Sequence, residues 1–284
     1  MSGMEIQLGE ERLFLLEERL TRDEIQLRAM DKRSGAFSSG IGSLLSRPKT
    51  EEITFVSRQR RLMPFWNVAA SSHYVYERTR DYNVPGSSPE VTAVTIDGQR
   101  HELDQQAGAQ RAFRLTALEH CQDDFRSETF TDGVSGAYVP EAPALITGPK
   151  SEIQDPQTLA AEETVVIPPE QRASFVVRQT LAQVMKPVQA DRILTESILL
   201  EKTDLYYRPV WAFEFAWREK RGVIEIDSIT GQTAAGKPIA GGQARGMITR
   251  DLLFDIGADT VGLFVPGGSI AVKLAKAAID QQKK

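Results

Sequence analysis

The chain has 284 residues, of which 41% are hydrophobic and 26% charged, and its formal net charge is -5. That composition excludes wholesale disorder, the length allows a buried core without disulfide or metal staples, and Lys and Arg are too well mixed with Asp and Glu to give the chain-wide positive field that a nucleic-acid backbone requires. Cys121 is the one cysteine, so no intrachain disulfide can form, and a reducing, cytoplasmic compartment of bacterial type is the expectation. Glu5, Glu10, Glu11, Glu17 and Glu18 crowd the N-terminus, which does not read as an export signal, and no charge-free apolar run reaches the roughly 18 residues a spanning helix needs.

In chain order, Leu13, Leu16, Leu20, Leu27 and Met30 recur at helical spacing and predict a helix over 9–32, closed at Gly35. Ser34 to Thr50 reads as a flexible linker, since its glycines lack the Lys and Ser/Thr of a phosphate loop at the required spacing. Strands are expected next: Ile53 and Phe55 alternate with polar residues, 65–76 is rich in aromatics and valine, and 91–103 contains the turn Asp97-Gly98. Arg58, Arg60 and Arg61, lying between apolar segments, read as a solvated strand end or turn. A helix is predicted from Gln105 to Phe125.

Residues 127–169 hold Pro140, Pro143, Pro149, Pro156, Pro168 and Pro169, a density that neither a helix nor a central strand tolerates, and so read as a connector. The second half opens on a helix over 173–186, stopped by Pro187, followed by strands at 193–202, 206–218 and 222–226 and a turn at Thr230-Gly231. A Gly-rich hinge over 234–246 leads to two short apolar segments, 251–265 and 269–284, which predict a helical hairpin. The domain expectation is therefore 1–126 and 170–236 as two helix and sheet units, 127–169 as connector, and 237–284 as hinge and tail. The expected fold class is α+β, with two antiparallel sheet-and-helix units arising from an internal duplication, plus the C-terminal helical hairpin.

Setting Pro64 against Pro209 aligns Met63-Pro64-Phe65-Trp66 with Arg208-Pro209-Val210-Trp211 and carries the duplication. The run Tyr207-Arg208-Pro209-Val210-Trp211-Ala212-Phe213-Glu214-Phe215, followed by Val223-Ile224-Glu225-Ile226-Asp227-Ser228-Ile229-Thr230-Gly231-Gln232, resembles the C-terminal strands and Asp-x-x-Thr-Gly turn of PepSY-type modules over residues 170–236. The first unit shows no such turn at the matching distance. The resemblance implies a binding or inhibitory role and no catalysis. Asp227 and Thr230 themselves read as backbone caps.

Chemistry has few carriers. His73, His101 and His120 lie at no metal-ligand spacing, so no metal or cofactor is expected. Cys121 reads as a small buried hydrophobe, and Asp123-Asp124 with Glu128, or Glu162-Glu163, as solvated acids. The leading expectation is a non-catalytic binding or assembly module. It would act through a groove between the units, lined by Trp66 and Trp211 with Tyr74 and Tyr207, and through Leu263 and Phe264 on the tail; the competing and favoured reading of the two tryptophans is that each fills a core, and of the tail that it packs on its own sheet. Its partner would be another protein or a second copy, not nucleic acid. The alternatives are a hydrolase with acids or Cys121 in that groove, and a peripheral membrane protein held by the tail with its basic end Lys283-Lys284.

Overall fold

The computed structural model describes residues 5–37, 48–104, 110–160, 163–238 and 249–254, and the backbone of a strand at 273–276. The elements in chain order are β1 (Glu5–Leu16), α1 (Arg22–Lys32), β2 (Thr54–Pro85), β3 (Ala93–Ile96), β4 (Gln99–Glu102), β5 (Ala112–Asp132), α2 (Ala142–Leu145), β6 (Lys150–Glu152), β7 (Thr164–Val166), α3 (Ala173–Val184), β8 (Arg192–Trp217), β9 (Lys220–Asp227), β10 (Thr233–Ala235), α4 (Arg250–Leu253) and β11 (Lys273–Lys276). Nine strands form one mixed sheet, and β3 with β4 forms a separate hairpin whose turn uses the positive φ of Asp97 and Gly98.

This overturns the expected fold class. There are not two antiparallel sheet-and-helix units but one sheet built on the antiparallel pair β2 and β8, which runs from Thr54 opposite Ala216 to Glu77 opposite Arg192. The outer edge of β2 pairs with β7 in parallel and then with β5, and the outer edge of β8 pairs with β1 in parallel and then with β9. The first strand of each half thus lies beside the long strand of the other half, so neither half completes its sheet alone. Met63 pairs with Arg208 at the centre of this pattern. Pro64 falls between the stretch of β2 bonded to β7 and the stretch bonded to β5, and Pro209 falls at the matching break between β1 and β9. A residue without an N–H is tolerated mid-strand at such a break because no ladder bond is demanded of it.

The turn that the sequence shows once occurs twice. Asp227 Oδ1 accepts from the N–H groups of Ile229 and Thr230, and Gly231 sits at φ +73°. At the end of β5, Asp132 Oδ1 accepts from the N–H groups of Val134 and Ser135, and Gly136 sits at φ +75°. Each turn is tied to its proline, Gly133 N–H donating to Pro64 O at 2.8 Å and Ser228 N–H to Pro209 O at 3.2 Å. The first copy, Asp132-Gly133-Val134-Ser135-Gly136, escapes a search at matching distance because the long β2–β5 arm and the β3–β4 hairpin separate it from Pro64.

Three local predictions fail for identifiable reasons. The helix over 9–32 is strand β1 followed by α1: as an interior strand β1 buries side chains on both faces, Leu13 on one and Phe14 on the other, and the resulting apolar spacing imitates a helical stripe. The helix over 105–125 is strand β5, whose helix-forming residues Ala117, Leu118, Glu119 and Gln122 are overridden by a ladder to β2 without a register shift. The predicted helical hairpin is contradicted at 273–276, a strand parallel to β1, while most of 251–284 lies outside the described residues. Arg58, Arg60 and Arg61 lie inside β2 and bond Gln26, Glu18 and Glu225.

The sheet has two unlike faces. On one, α3 roofs a cluster containing Trp66, Leu62, Val68, Leu205 and Tyr207, and α1 roofs another containing Trp211, Phe213, Phe215 and Ile226. On the other, a smaller cluster of Phe14, Phe65, Tyr206 and Phe130 packs under α2. Among the described residues no helix is long and apolar enough to cross a membrane.

Candidate functional site

Beyond the Phe14–Tyr206–Phe65 cluster the second face turns polar. Directly opposite residues on neighbouring strands share a face, so the ladder registers define lateral rows across β1, β8, β2 and β5. The rows run Arg12–Asp204–Asn67–Phe130, then Glu10–Lys202–Ala69–Glu128, then Gln7–Leu199–Ser71–Arg126, and finally Ser197–His73–Asp124. Between the second and third rows β8 inserts Glu201 as an extra residue relative to β2. Gly9 answers it on β1: a Cβ there would lie 2.4 Å from the carbonyl oxygens of Leu200 and Glu201, so no side chain fits beside the bulge.

The three long cations of these rows are each matched with a carboxylate. Arg12 donates from Nε to Asp204 Oδ1 and from Nη2 to Asp204 Oδ2, both at 3.0 Å. Lys202 Nζ lies 2.7 Å from Glu128 Oε1, and Arg126 Nη2 lies 2.9 Å from Glu201 Oε2. Asp204 is almost wholly buried, and loss of hydration holds its carboxyl above the usual carboxylate range even though Arg12 pulls the other way. For Glu128 the balance reverses: burial raises it, but hydrogen bonds from Lys202 and Asn67 outweigh that and leave it below its ordinary value. Asn67 is fully buried and donates to Glu128 at 2.9 Å, while its Oδ1 has no hydrogen-bond partner among the described residues.

The last two rows open into a cleft of about 470 Å³ lined by Gln7, Ser71, His73, Asp124, Arg126, Ser197 and Leu199 among others. His73 Nδ1 sits 2.6 Å from Asp124 Oδ1, which turns Nε2 away from β5. Hydrogen bonds from Gln122 and then from His73 hold the Asp124 carboxyl below its ordinary range. Among the described residues the hydroxyls of Ser71 and Ser197 have no hydrogen-bond partner, and Leu199, which also lines the cleft, is 40% exposed. Hydrogen-bonding groups of both senses and one apolar side chain are therefore available to a ligand.

The sequence-predicted binding residues lie elsewhere. Trp66 and Trp211 are both buried, in separate clusters beneath separate helices, and do not line one groove. Trp66 donates to Gln171 O at 2.8 Å, and Trp211 is flanked by the guanidinium groups of Arg22 and Arg58 at 5.2 and 5.9 Å. Tyr74 and Tyr207 are buried, Tyr207 with a hydroxyl that finds no partner, and Leu263 and Phe264 lie outside the described residues. Of the candidate acids, Asp123 and Asp124 project to opposite faces, Asp123 accepting from Tyr76 and Asp124 joining His73, and Glu163 bonds Arg22. Cys121 lies out along β5 and His101 on the β3–β4 hairpin beside Phe113.

Sequence reasoning missed Arg12, Asn67, Arg126, Ser197, Lys202 and Asp204. The available signal was a polar residue set singly between large apolar ones, as in Trp66-Asn67-Val68, where alternation puts it on the face opposite the core; Lys202-Thr203-Asp204 carries no such signal. Comparison with protein-family models, curated proteins and solved structures returned no match.

Proposed function

We propose that this chain is a cytoplasmic binding module that takes an uncharged, polar segment of a partner polypeptide into the cleft on the open face of its sheet. The supporting observation is the charge state of that face: Arg12, Lys202 and Arg126 are each held by a carboxylate, while the Ser71 and Ser197 hydroxyls and His73 Nε2 have no partner among the described residues. A polyanion would have to break existing ion pairs to bind, whereas a neutral chain needs only the groups left free. The likeness of 170–236 to PepSY-type modules points the same way.

Panning a displayed library of random dodecapeptides against the full chain tests this. Enriched sequences are expected to be poor in charge, to bind with little dependence on salt, and to lose at least tenfold in affinity to Leu199→Glu. Leu199 is exposed enough for that substitution to leave the fold intact. Enrichment of acidic or basic sequences, or binding indifferent to Leu199→Glu, would overturn the reading.

A second reading, an acyl hydrolase, has one observation in its favour: Ser197, His73 and Asp124 occupy one lateral row, with the His73–Asp124 bond already made. Ser197 Oγ would attack an ester carbonyl, its proton passing to His73 Nε2 and from there to the departing alcohol, and water would then release the acyl group by the reverse transfers. Ser197 and His73 are cross-strand neighbours but not hydrogen-bonded to each other in this structure. A fluorophosphonate probe should label Ser197 and fail on His73→Ala; absence of label, or label unaffected by His73→Ala, removes this reading.

A further inference from the structure

Strand β5 pairs with β2 from Ala112 to Asp132 without a register shift, and its other edge is bonded only at the ends, through the bridges Asp104–Ala112 and Thr131–Tyr138. Among the described residues the edge from 113 to 129 is open, the Phe130 carbonyl accepting from Val139 N–H. β8 stops accompanying β2 at Glu77, so 78–85 of β2 and 112–119 of β5 continue as a two-stranded ribbon. Such a ribbon is marginal in water on its own, and a long, straight edge with free N–H and C=O groups is a template for another strand. This edge has neither a proline nor a bulge to block pairing. Leu118, 53% exposed, and Tyr82, 44% exposed, are the ribbon's prominent apolar side chains.

We propose that the open edge of β5 pairs antiparallel with the same edge of a second copy of this chain, with Leu118 opposite Leu118 of that copy. Two-fold symmetry makes one residue face itself and fixes every other pair, so the candidate registers can be compared by their charges. Centring on Glu119 sets that carboxylate against itself. Centring on His120 opposes Arg114 to Arg126, centring on Cys121 opposes Glu119 to Asp123, and centring on Ala117 opposes Arg114 to His120. Centring on Gln122 avoids like charges but sets Leu118 against Arg126 and reaches Ser127, whose hydroxyl is bonded to Gln183 of α3. With Leu118 at the centre no like charges face each other: Thr116 meets His120, Arg114 meets Gln122, and Ala117 meets Glu119, whose charge is already held by Arg78 and Tyr82. That register also sets Leu115 opposite Cys121 of the second copy and leaves the part of β5 beside α3 untouched.

The test combines mass in solution with a register-specific crosslink. Size-exclusion chromatography with light scattering on the full chain should give a dimer, and Leu118→Lys should weaken its dissociation constant at least tenfold while the thermal transition stays cooperative. Leu115→Cys should, under mild oxidant, form an interchain disulfide with the native Cys121 that disappears in Leu115→Cys/Cys121→Ser. The two positions are about 20 Å apart within one strand, too far for a bond inside a chain. A monomer overturns the proposal, and β5 amides protected from hydrogen exchange in that monomer would show that another segment of the same chain covers the edge. A dimer that does not crosslink through Leu115→Cys overturns the register and with it the argument.

Discussion

Replacing Arg12 with alanine is expected to cost about 3 kcal/mol of stability at neutral pH, and the cost should shrink as the solution is made acidic. The magnitude follows from removing one partner of a pair whose other member stays buried. Arg12 supplies both hydrogen bonds between the guanidinium and Asp204, and the Asp204 side chain is 2% exposed. What remains is the 3.4 Å bond from the Tyr206 hydroxyl and the more distant charge of Lys202, too little to stabilise a desolvated negative charge. The sign of the pH effect follows from the direction of the Asp204 shift. Burial already holds this carboxyl above its unfolded value, so the folded state takes up a proton at a higher pH than the unfolded state does. Stability from this site therefore rises as pH falls through that interval. Loss of Arg12 removes the main influence opposing the rise, so the interval widens upward in Arg12→Ala. Urea denaturation of both proteins across the acidic to neutral range checks this: a destabilisation that stays constant or grows toward acid would show that Asp204 does not remain buried and charged in the variant.

The same pair explains why the open face can be polar without being a polyanion site. Each cation held by a neighbouring carboxylate has the position of its long side chain fixed: Arg12 by Asp204, Lys202 by Glu128 and Arg126 by Glu201. The floor is thereby ordered before any ligand arrives, which reduces the entropy that binding must overcome. The groups left without a partner among the described residues, Ser71, Ser197 and His73 Nε2, are the short, stiff ones.

Much of the local structure is legible in the sequence, and the global arrangement is not. Helix α3, the Asp97-Gly98 hairpin and the strands on either side of Pro64 and Pro209 follow from periodicity and turn chemistry, which are local. The single sheet does not, because its register depends on which strand each edge meets. β1 runs beside β8, from Glu5 opposite Ser197 to Leu15 opposite Tyr207, and no pattern within either segment announces the other. The same non-locality hid the site. Ser197, His73 and Asp124 are far apart in the chain, and only the ladders β8–β2 and β2–β5 bring them into one row. The two tryptophans show what repetition leaves open: their shared Pro-x-Trp setting admitted either a shared groove or two core positions, and each is in fact buried under its own helix.

Trp66→Ala is expected to cost about 3 to 5 kcal/mol, a large share of the roughly 5 to 15 kcal/mol by which such a chain is stable. Trp66 is fully buried among Leu62, Val68, Leu205 and the apolar side of α3, with Phe254 edge-on at a centroid distance of 5.7 Å. Its removal opens a cavity in a cluster bounded by the sheet below and α3 above, and the sheet cannot close over it without breaking ladder bonds. Trp66→Phe separates packing from hydrogen bonding, since it keeps most of the volume and loses only the indole N–H that holds the Gln171 carbonyl at the start of α3. That variant should lose about 1 to 2 kcal/mol. Trp211→Ala should cost less than Trp66→Ala, because Arg22, 51% exposed, can settle over the vacated space. Equal losses for the two alanine variants in chemical denaturation would mean that the α1 side of the sheet is as rigid as the α3 side. If peptides selected on the cleft lost affinity to Trp66→Phe, α3 and the open face would be coupled through β2, and the cleft would have to be regarded as part of the same cooperative unit as the core beneath it.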